Sequence, residues 1–181
     1  MGIVTAKGDK GRTFLLCGGH VSKDDPRIEA CGALDELSSF LGLARSVAKN
    51  PKARDLLLSI QKELFIVGYE FTAGIKAGRL PGKRIGDTHI RRLEDAITSL
   101  ESVGKKGGSA FCIPGDNPIS GILDVARTVA RRAERRAVTL ERKNLIKNGR
   151  VLIYLNRLSD LLYLMARQCG GSRRKSGTKG R

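Results

Sequence analysis

The chain has 181 residues, enough for one domain with a sizeable buried core. Its 40% hydrophobic and 29% charged residues exclude a disordered chain, and with no Trp and only 4% aromatic residues the packing must rest on Leu, Ile, Val and Ala. A formal net charge of +16 points to anionic partners, whether phosphates, nucleic acid or an acidic surface.

Residues 1–26 hold Gly2, Gly8, Gly11, Gly18, Gly19 and Pro26 without a sustained period, so they read as a long loop or arm, with one short strand-like piece at Thr13–Leu16. No apolar run resembles a signal peptide or reaches the ~18 residues of a membrane span. "MGIVTA" has Ala6 where a myristoylation signal needs Ser or Thr. The expectation is a cytoplasmic protein with no membrane contact. Asp24-Asp25-Pro26 then supplies a capping carboxylate and a first-turn proline. Ala30, Leu34, Leu37, Phe40, Leu41 and Ala44 recur behind it at helical spacing. A second helix is predicted from Pro51 to about Gly78, and a third, capped by Asp87, runs to the glycines of 104–108. A fourth spans about Pro118–Asn144 and a fifth about Val151–Gln168.

Five helices with short connections predict an all-α, up-and-down five-helix bundle behind a long N-terminal loop. The bundle domain is expected over residues 1–171. The segment 172–181, "SRRKSGTKGR", reads as a flexible basic tail with five basic residues and no acid. Cys17, Cys31, Cys112 and Cys169 form no CxxC pair, and His20 and His89 are the only histidines, which argues against a zinc site.

The fourth helix carries the densest charge, "ARRAERR". Arg127, Arg131 and Arg135 step by four and line one face, while Arg132 and Arg136 form a second row beside them. Glu134 is the one acid within the cluster. Such a row can be a solvated face, a nucleic-acid surface or a pocket for a small anion, and charge alone leaves all three open. "TAKGDKGRT", Thr5–Thr13, adds glycines that let backbone N–H groups approach phosphate, with Lys7, Lys10 and Arg12 as point charges. It is not a Walker A loop, because GxxxxGK[ST] is absent. Lys23 is a further cation near the loop's end. On the fifth helix Asn156, Ser159 and Tyr163 lie at helical spacing as a polar seam. On the first, Asp35-Glu36 sits between Leu34 and Leu37 and needs cationic partners, for which the fourth-helix arginines are candidates.

Taken in order, "TAKGDKGRT", "KDDPRIEACGALDELSSFLGLA", "FCIPGD", "ARTVARRAERR" and "YLNRLSDLLYLMAR" resemble the PduO-type ATP:cob(I)alamin adenosyltransferases over most of the chain, from about Thr5 to Arg167. The resemblance implies a homotrimer with an active site at each subunit interface. There the 5′-deoxyadenosyl group of ATP, bound with Mg²⁺, would pass to the cobalt of cob(I)alamin. By motif position, the ATP site would use Thr5, Ala6, Lys7, Gly8, Thr13 and Lys23 of the loop. Arg131, Arg132, Glu134 and Arg135 of the fourth helix and Asn156 of the fifth would complete it. Arg127 and Asp35 match a salt bridge between subunits near the corrin. Phe111 looks like the aromatic that displaces the lower axial ligand of cobalt. Asp35, Arg127, Arg131 and Phe111 are thereby the expected catalytic residues, with Phe111 and Asp35 against the corrinoid. Protein ligands for Mg²⁺ are not assignable.

The resemblance also implies a corrinoid reductase and an adenosylcobalamin-dependent enzyme as partners, with nucleic acid not expected. Lys7, Cys31, Asp116 and Asp124 depart from the usual pattern, where a Thr, an aromatic, a Gly and a His are common. The alternatives are an adenosylcobalamin carrier or sensor of the same fold with little turnover, and an RNA-binding protein. The second lacks the interleaved aromatics that stack bases.

Overall fold

A computed structural model describes residues 4, 6, 8–15, 19–73, 84–103 and 113–170. Within them lie two short strands, β1 (Arg12–Phe14) and β2 (His20–Ser22). Five helices follow: α1 (Pro26–Val47), α2 (Pro51–Ala73), α3 (Asp87–Val103), α4 (Pro118–Arg142) and α5 (Arg150–Gly170).

The helix starts have local causes. Asp25, not Asp24, caps α1: its carboxylate accepts from the backbone N–H of Arg27 at 2.9 Å, and Pro26 takes the first turn. The Arg27 guanidinium bonds the same carboxylate and holds its pKa below the usual range. Asn117 caps α4 through a reciprocal box with Ser120, again ahead of a proline. α4 ends two residues before the expected Asn144, which turns into the left-handed region at φ 54° while Leu145 N–H reaches back to the Leu140 carbonyl at 2.8 Å. Asp87 is not a cap. It is the first residue of α3, where a negative charge suits the helix dipole, and its carboxylate accepts from Arg150 Nε at 2.7 Å.

Consecutive helices alternate in direction, which leaves α3 and α5 packed parallel, with Asp87 and Glu94 meeting Arg150 and Arg157. Cys31 and Ser38 of α1 meet Gly68 and Gln61 of α2. Glu63 of α2 meets Arg92 of α3, and Glu134 of α4 meets Asn156 of α5. Glu36 and Glu29 of α1 pair with Arg132 and Arg136 of α4, so those two helices also run antiparallel. The expected up-and-down bundle is the architecture found. α4 lies between α1 and α5, and its stripe Ala126, Val129, Ala133, Ala137 and Leu140 is buried, with Leu123 and Ala130 widening it toward both neighbours.

Leu37, Leu41, Leu57, Ile60, Leu93, Leu155 and Leu158 are fully buried between the helices. Each such side chain contributes about 1.5–3 kcal/mol relative to exposure. Two carboxylates cross this core. Glu63 accepts from Tyr154 Oη at 2.8 Å and Arg92 Nη2 at 2.5 Å, tying α2 to α5 and α3. Burial, reinforced by that carboxylate, pushes the Tyr154 hydroxyl well above its usual pKa. Glu70 accepts from Asn148 Nδ2 and from the Ile85 N–H at 2.7 Å, pinning the entry to α3 against the α4–α5 connection. Both acids are satisfied, as buried acids must be.

In the N-terminal arm the strand-like piece expected at Thr13–Leu16 falls on β1, which ends at Phe14. β1 and β2 pair antiparallel with Thr13 opposite Val21, and Phe14 packs at a 44° tilt against the opposite His20, 3.6 Å between ring centroids. The tail 172–181 lies outside the described residues, as do Cys17 and Cys112.

Candidate active site

Thr5, Lys7 and Phe111 fall outside the described residues; the other expected site residues can be placed. Ala6 adopts φ 55°, a left-handed conformation that costs a non-glycine residue on the order of 1 kcal/mol. Gly8 packs against Lys23 so closely that a methyl group on it would lie 3.0 Å from the Lys23 amine. The Lys23 N–H donates to the Gly11 carbonyl at 2.9 Å. Gly8 and Lys23, 15 positions apart in sequence, are therefore one local structure, while Thr13 sits in β1. Two residues after Lys23, the Asp25 carboxylate is influenced by Lys143, just beyond the end of α4. The loop thus enters the bundle at the end toward which the α4 arginine rows run.

Those rows divide by function of position. Arg132 and Arg136, the second row, face α1: Arg132 pairs with Glu36 and Arg136 Nη2 lies 2.9 Å from Glu29 Oε1. In the first row Arg127 is half-buried and its Nε donates to Asp124 Oδ1 at 3.1 Å. Arg131 and Arg135 are exposed and have no ion pair among the described residues. Two like charges four residues apart on one helix repel by roughly 0.2–0.5 kcal/mol. An anion seated between them would remove that repulsion. Beside them Glu134 Oε1 accepts from Asn156 Nδ2 at 3.3 Å, and Asn156 Oδ1 accepts from Arg157 at 2.9 Å. Asn156 therefore joins the α4 cluster. Ser159 and Tyr163 do not: Ser159 bonds the backbone of Asn156, and Tyr163 lies under the Arg167 guanidinium, 5.5 Å from its centroid.

Asp35 meets no arginine among the described residues. The acid that finds a fourth-helix cation is its neighbour Glu36, because Asp35 points to the other side of α1. There a groove of about 220 Å³ runs between α1 and α2, lined by Cys31, Asp35, Gln61, Phe65 and Gly68. Phe65 is 75% exposed along it, a large apolar surface beside one carboxylate. The Cys31 thiol is pushed up to about 11 by burial, with Asp35 adding to the shift, so it is protonated and inert at neutral pH. Among the described residues no cluster of three or more His, Cys, Asp or Glu side chains could hold a metal ion. A larger apolar cavity of about 530 Å³ lies at the opposite end of the bundle from Lys23, between Val47, Leu56, Leu100, Ile119 and Met165, and holds none of the expected residues.

Asp124 is marked by the sequence only as a departure from the family pattern and is assigned no partner. It is buried, and both Arg127 of α4 and Arg167 of α5 bond its carboxylate. Its position on the packing side of α4, next to Leu123, was the available signal.

The fold defines an all-α helical-bundle protein with a glycine-lysine loop and an arginine-rich helix. The sequence pattern of the cobalamin adenosyltransferases matches residues 3–169, and the chain belongs to that family. It is 41% identical over 168 residues, 92% of its length, to the corrinoid adenosyltransferase PduO of Citrobacter freundii, and 39% identical over 171 residues to the corrinoid adenosyltransferase of Bacillus subtilis. The chain spans 49% of the PduO protein and 86% of the Bacillus one. Among solved structures it resembles a PduO-type ATP:corrinoid adenosyltransferase of Lactobacillus reuteri, a phenylalanine-to-alanine variant complexed with cobalamin and ATP. The TM-score is 0.84 at 33% identity, covering 93% of each chain. An arginine-to-lysine variant of that enzyme, complexed with ATP, gives 0.83.

Proposed function

We propose that the chain transfers the 5′-deoxyadenosyl group of ATP to the cobalt of cob(I)alamin, giving adenosylcobalamin and triphosphate. The observation that carries this reading is Arg131 and Arg135, without an ion pair among the described residues, beside the Glu134–Asn156 hydrogen bond in a chain of this family.

In the reaction the cobalt lone pair attacks C5′, the new Co–C bond forms, and the C5′–O bond breaks with its electrons passing to triphosphate. Co(I) is itself a strong nucleophile, so the protein need supply no base for this step. What it must supply is a polyanion held in line and neutralised as it leaves. Arg131, Arg132 and Arg135 can do this as forks, with Lys23 and the amides around Gly8 as the opposite wall. Asn156 and Glu134 would orient the nucleoside end. Mg²⁺ would arrive with the triphosphate and share its charge. Thr5, Ala6, Lys7 and Thr13 complete the ATP loop in this account, and Phe111 covers the lower face of the corrinoid.

The groove beside Asp35 is far too small to enclose a corrin and can form only one wall for it. That supports a homotrimer in which a neighbouring subunit supplies the other wall, with its Arg127 meeting Asp35. A cytoplasmic corrinoid reductase would supply the electron, and an adenosylcobalamin-dependent enzyme would take the product. Incubation with ATP, Mg²⁺ and chemically reduced cobalamin is expected to give a light-sensitive cobalt–carbon product. Absence of product together with absence of ATP binding would sink the reading. The second reading, a carrier with little turnover, draws on the small Cys31 side chain that leaves the α1–α2 groove open. Tight corrinoid binding without single-turnover conversion would favour it.

A further inference from the structure

Asp124 is 3% exposed on α4, one turn before Arg127. A carboxylate so buried must be neutralised, and two guanidinium groups converge on it. Arg127 Nε donates to Oδ1 at 3.1 Å, and Arg167 of α5 donates through Nη2 to Oδ2. Arg167 is held on its other side by the Tyr163 ring. The carboxylate is therefore fixed from α5 independently of Arg127.

Asp124 engages Arg127 through Nε alone, and among the described residues no other side chain bonds it. A guanidinium offers more than one edge to acceptors. Holding Nε leaves the outer Nη1–Nη2 edge open while removing most of the side chain's rotational freedom. We propose that Asp124 is a positioning residue for adenosyl transfer, locking Arg127 so that its outer edge is presented, already oriented, to the neighbouring subunit beside the corrinoid. This rests on the adenosyltransferase reading above. Ordering a freely rotating arginine at each turnover would cost roughly tenfold to thirtyfold in rate, which is the scale of the expected effect.

The competing account is that Asp124 merely ties α4 to α5, and kinetics separate the two. The assay is adenosyl transfer with saturating reduced cobalamin and varied ATP, with thermal midpoints measured on every variant. Asp124→Asn is expected to lower kcat tenfold to thirtyfold while the KM for ATP stays within twofold. Because Asp124 acts through Arg127, the Asp124→Asn/Arg127→Ala double variant should be no slower than Arg127→Ala. Arg167→Gln cuts the same α4–α5 tie but keeps the Asp124–Arg127 bond, so its kcat should stay within threefold of wild type. Arg127→Lys leaves Asp124 paired with Arg167 and tests the same point without removing the buried acid. A lysine amine cannot hold Asp124 and reach outward together, so its kcat should fall at least tenfold. Wild-type kcat in Asp124→Asn or Arg127→Lys would overturn the proposal. So would losses that multiply in the double variant, or an Arg167→Gln loss equal to that of Asp124→Asn. A wild-type chain that binds ATP and corrinoid but makes no product would instead overturn the underlying reading, and this one with it.

Discussion

Arg132→Ala separates the two things an arginine in the α4 cluster can do. Its side chain and that of Glu36 are 40% and 45% exposed, so their ion pair is screened and contributes at most about 1 kcal/mol. Removing it should shift the thermal midpoint by no more than about 4 °C. A guanidinium bonded to a phosphate loses much more, about 1.5–3 kcal/mol for each charge-assisted hydrogen bond, and two such bonds are available to a fork. Set against the Glu36 pair that binding gives up, the net loss is about 2–5 kcal/mol, or roughly thirtyfold to several-thousandfold in ATP affinity. Titration calorimetry with Mg·ATP reads the affinity and differential scanning calorimetry the midpoint. An unchanged affinity with a midpoint lowered by 8 °C or more would refute the reasoning, making Arg132 a structural residue of the α1–α4 seam.

Tyr154→Phe removes a fully buried hydroxyl from Glu63, which keeps Arg92. The expected loss is about 1.5–3 kcal/mol by urea denaturation, and a loss below 0.5 kcal/mol, taken as a rough floor, would show that Arg92 alone satisfies the acid. The Cys31 thiol, raised from 9.0 to about 11, carries roughly a hundredth of the thiolate of an ordinary cysteine at pH 8. Site-resolved alkylation should therefore be about a hundredfold slower at Cys31 than at a free thiol, and should climb with pH until about 11. A plateau near pH 9 would contradict the burial that raises it.

Much of the fold was legible because punctuation and period agree. Pro26, Pro51 and Pro118 each stand at the first turn of a helix, and Ala126, Val129, Ala133, Ala137 and Leu140 mark the buried side of α4. The hairpin was half-legible. Three-residue strands are too short to show alternation, and β2 is a His-Val-Ser piece with a single apolar residue. Asp87 was misjudged because a carboxylate at a helix start reads as a cap whether it sits before the first residue or on it. In the site, Asn156 and Glu134, grouped by the family resemblance alone, lie within hydrogen-bond distance across α4 and α5.

The division of the arginine rows was not legible. It depends on where α1 lies, and Glu29 and Glu36 are about a hundred positions from the cations they meet. Asp124 was hidden for the same reason: one of its two neutralising partners, Arg167, is 43 positions away on another helix. A buried acid looks like a solvent-facing one until the chain that covers it is in place.

The most direct test of the account follows the atoms. With ATP labelled in the adenosine and in the γ-phosphate, Mg²⁺ and chemically reduced cobalamin, the adenosine label is expected in the corrinoid, lost on exposure to light. The phosphate label should appear as intact triphosphate. Adenosine label that stays out of the corrinoid, or phosphate label released as monophosphate, would contradict the transfer at C5′ on which the whole account rests.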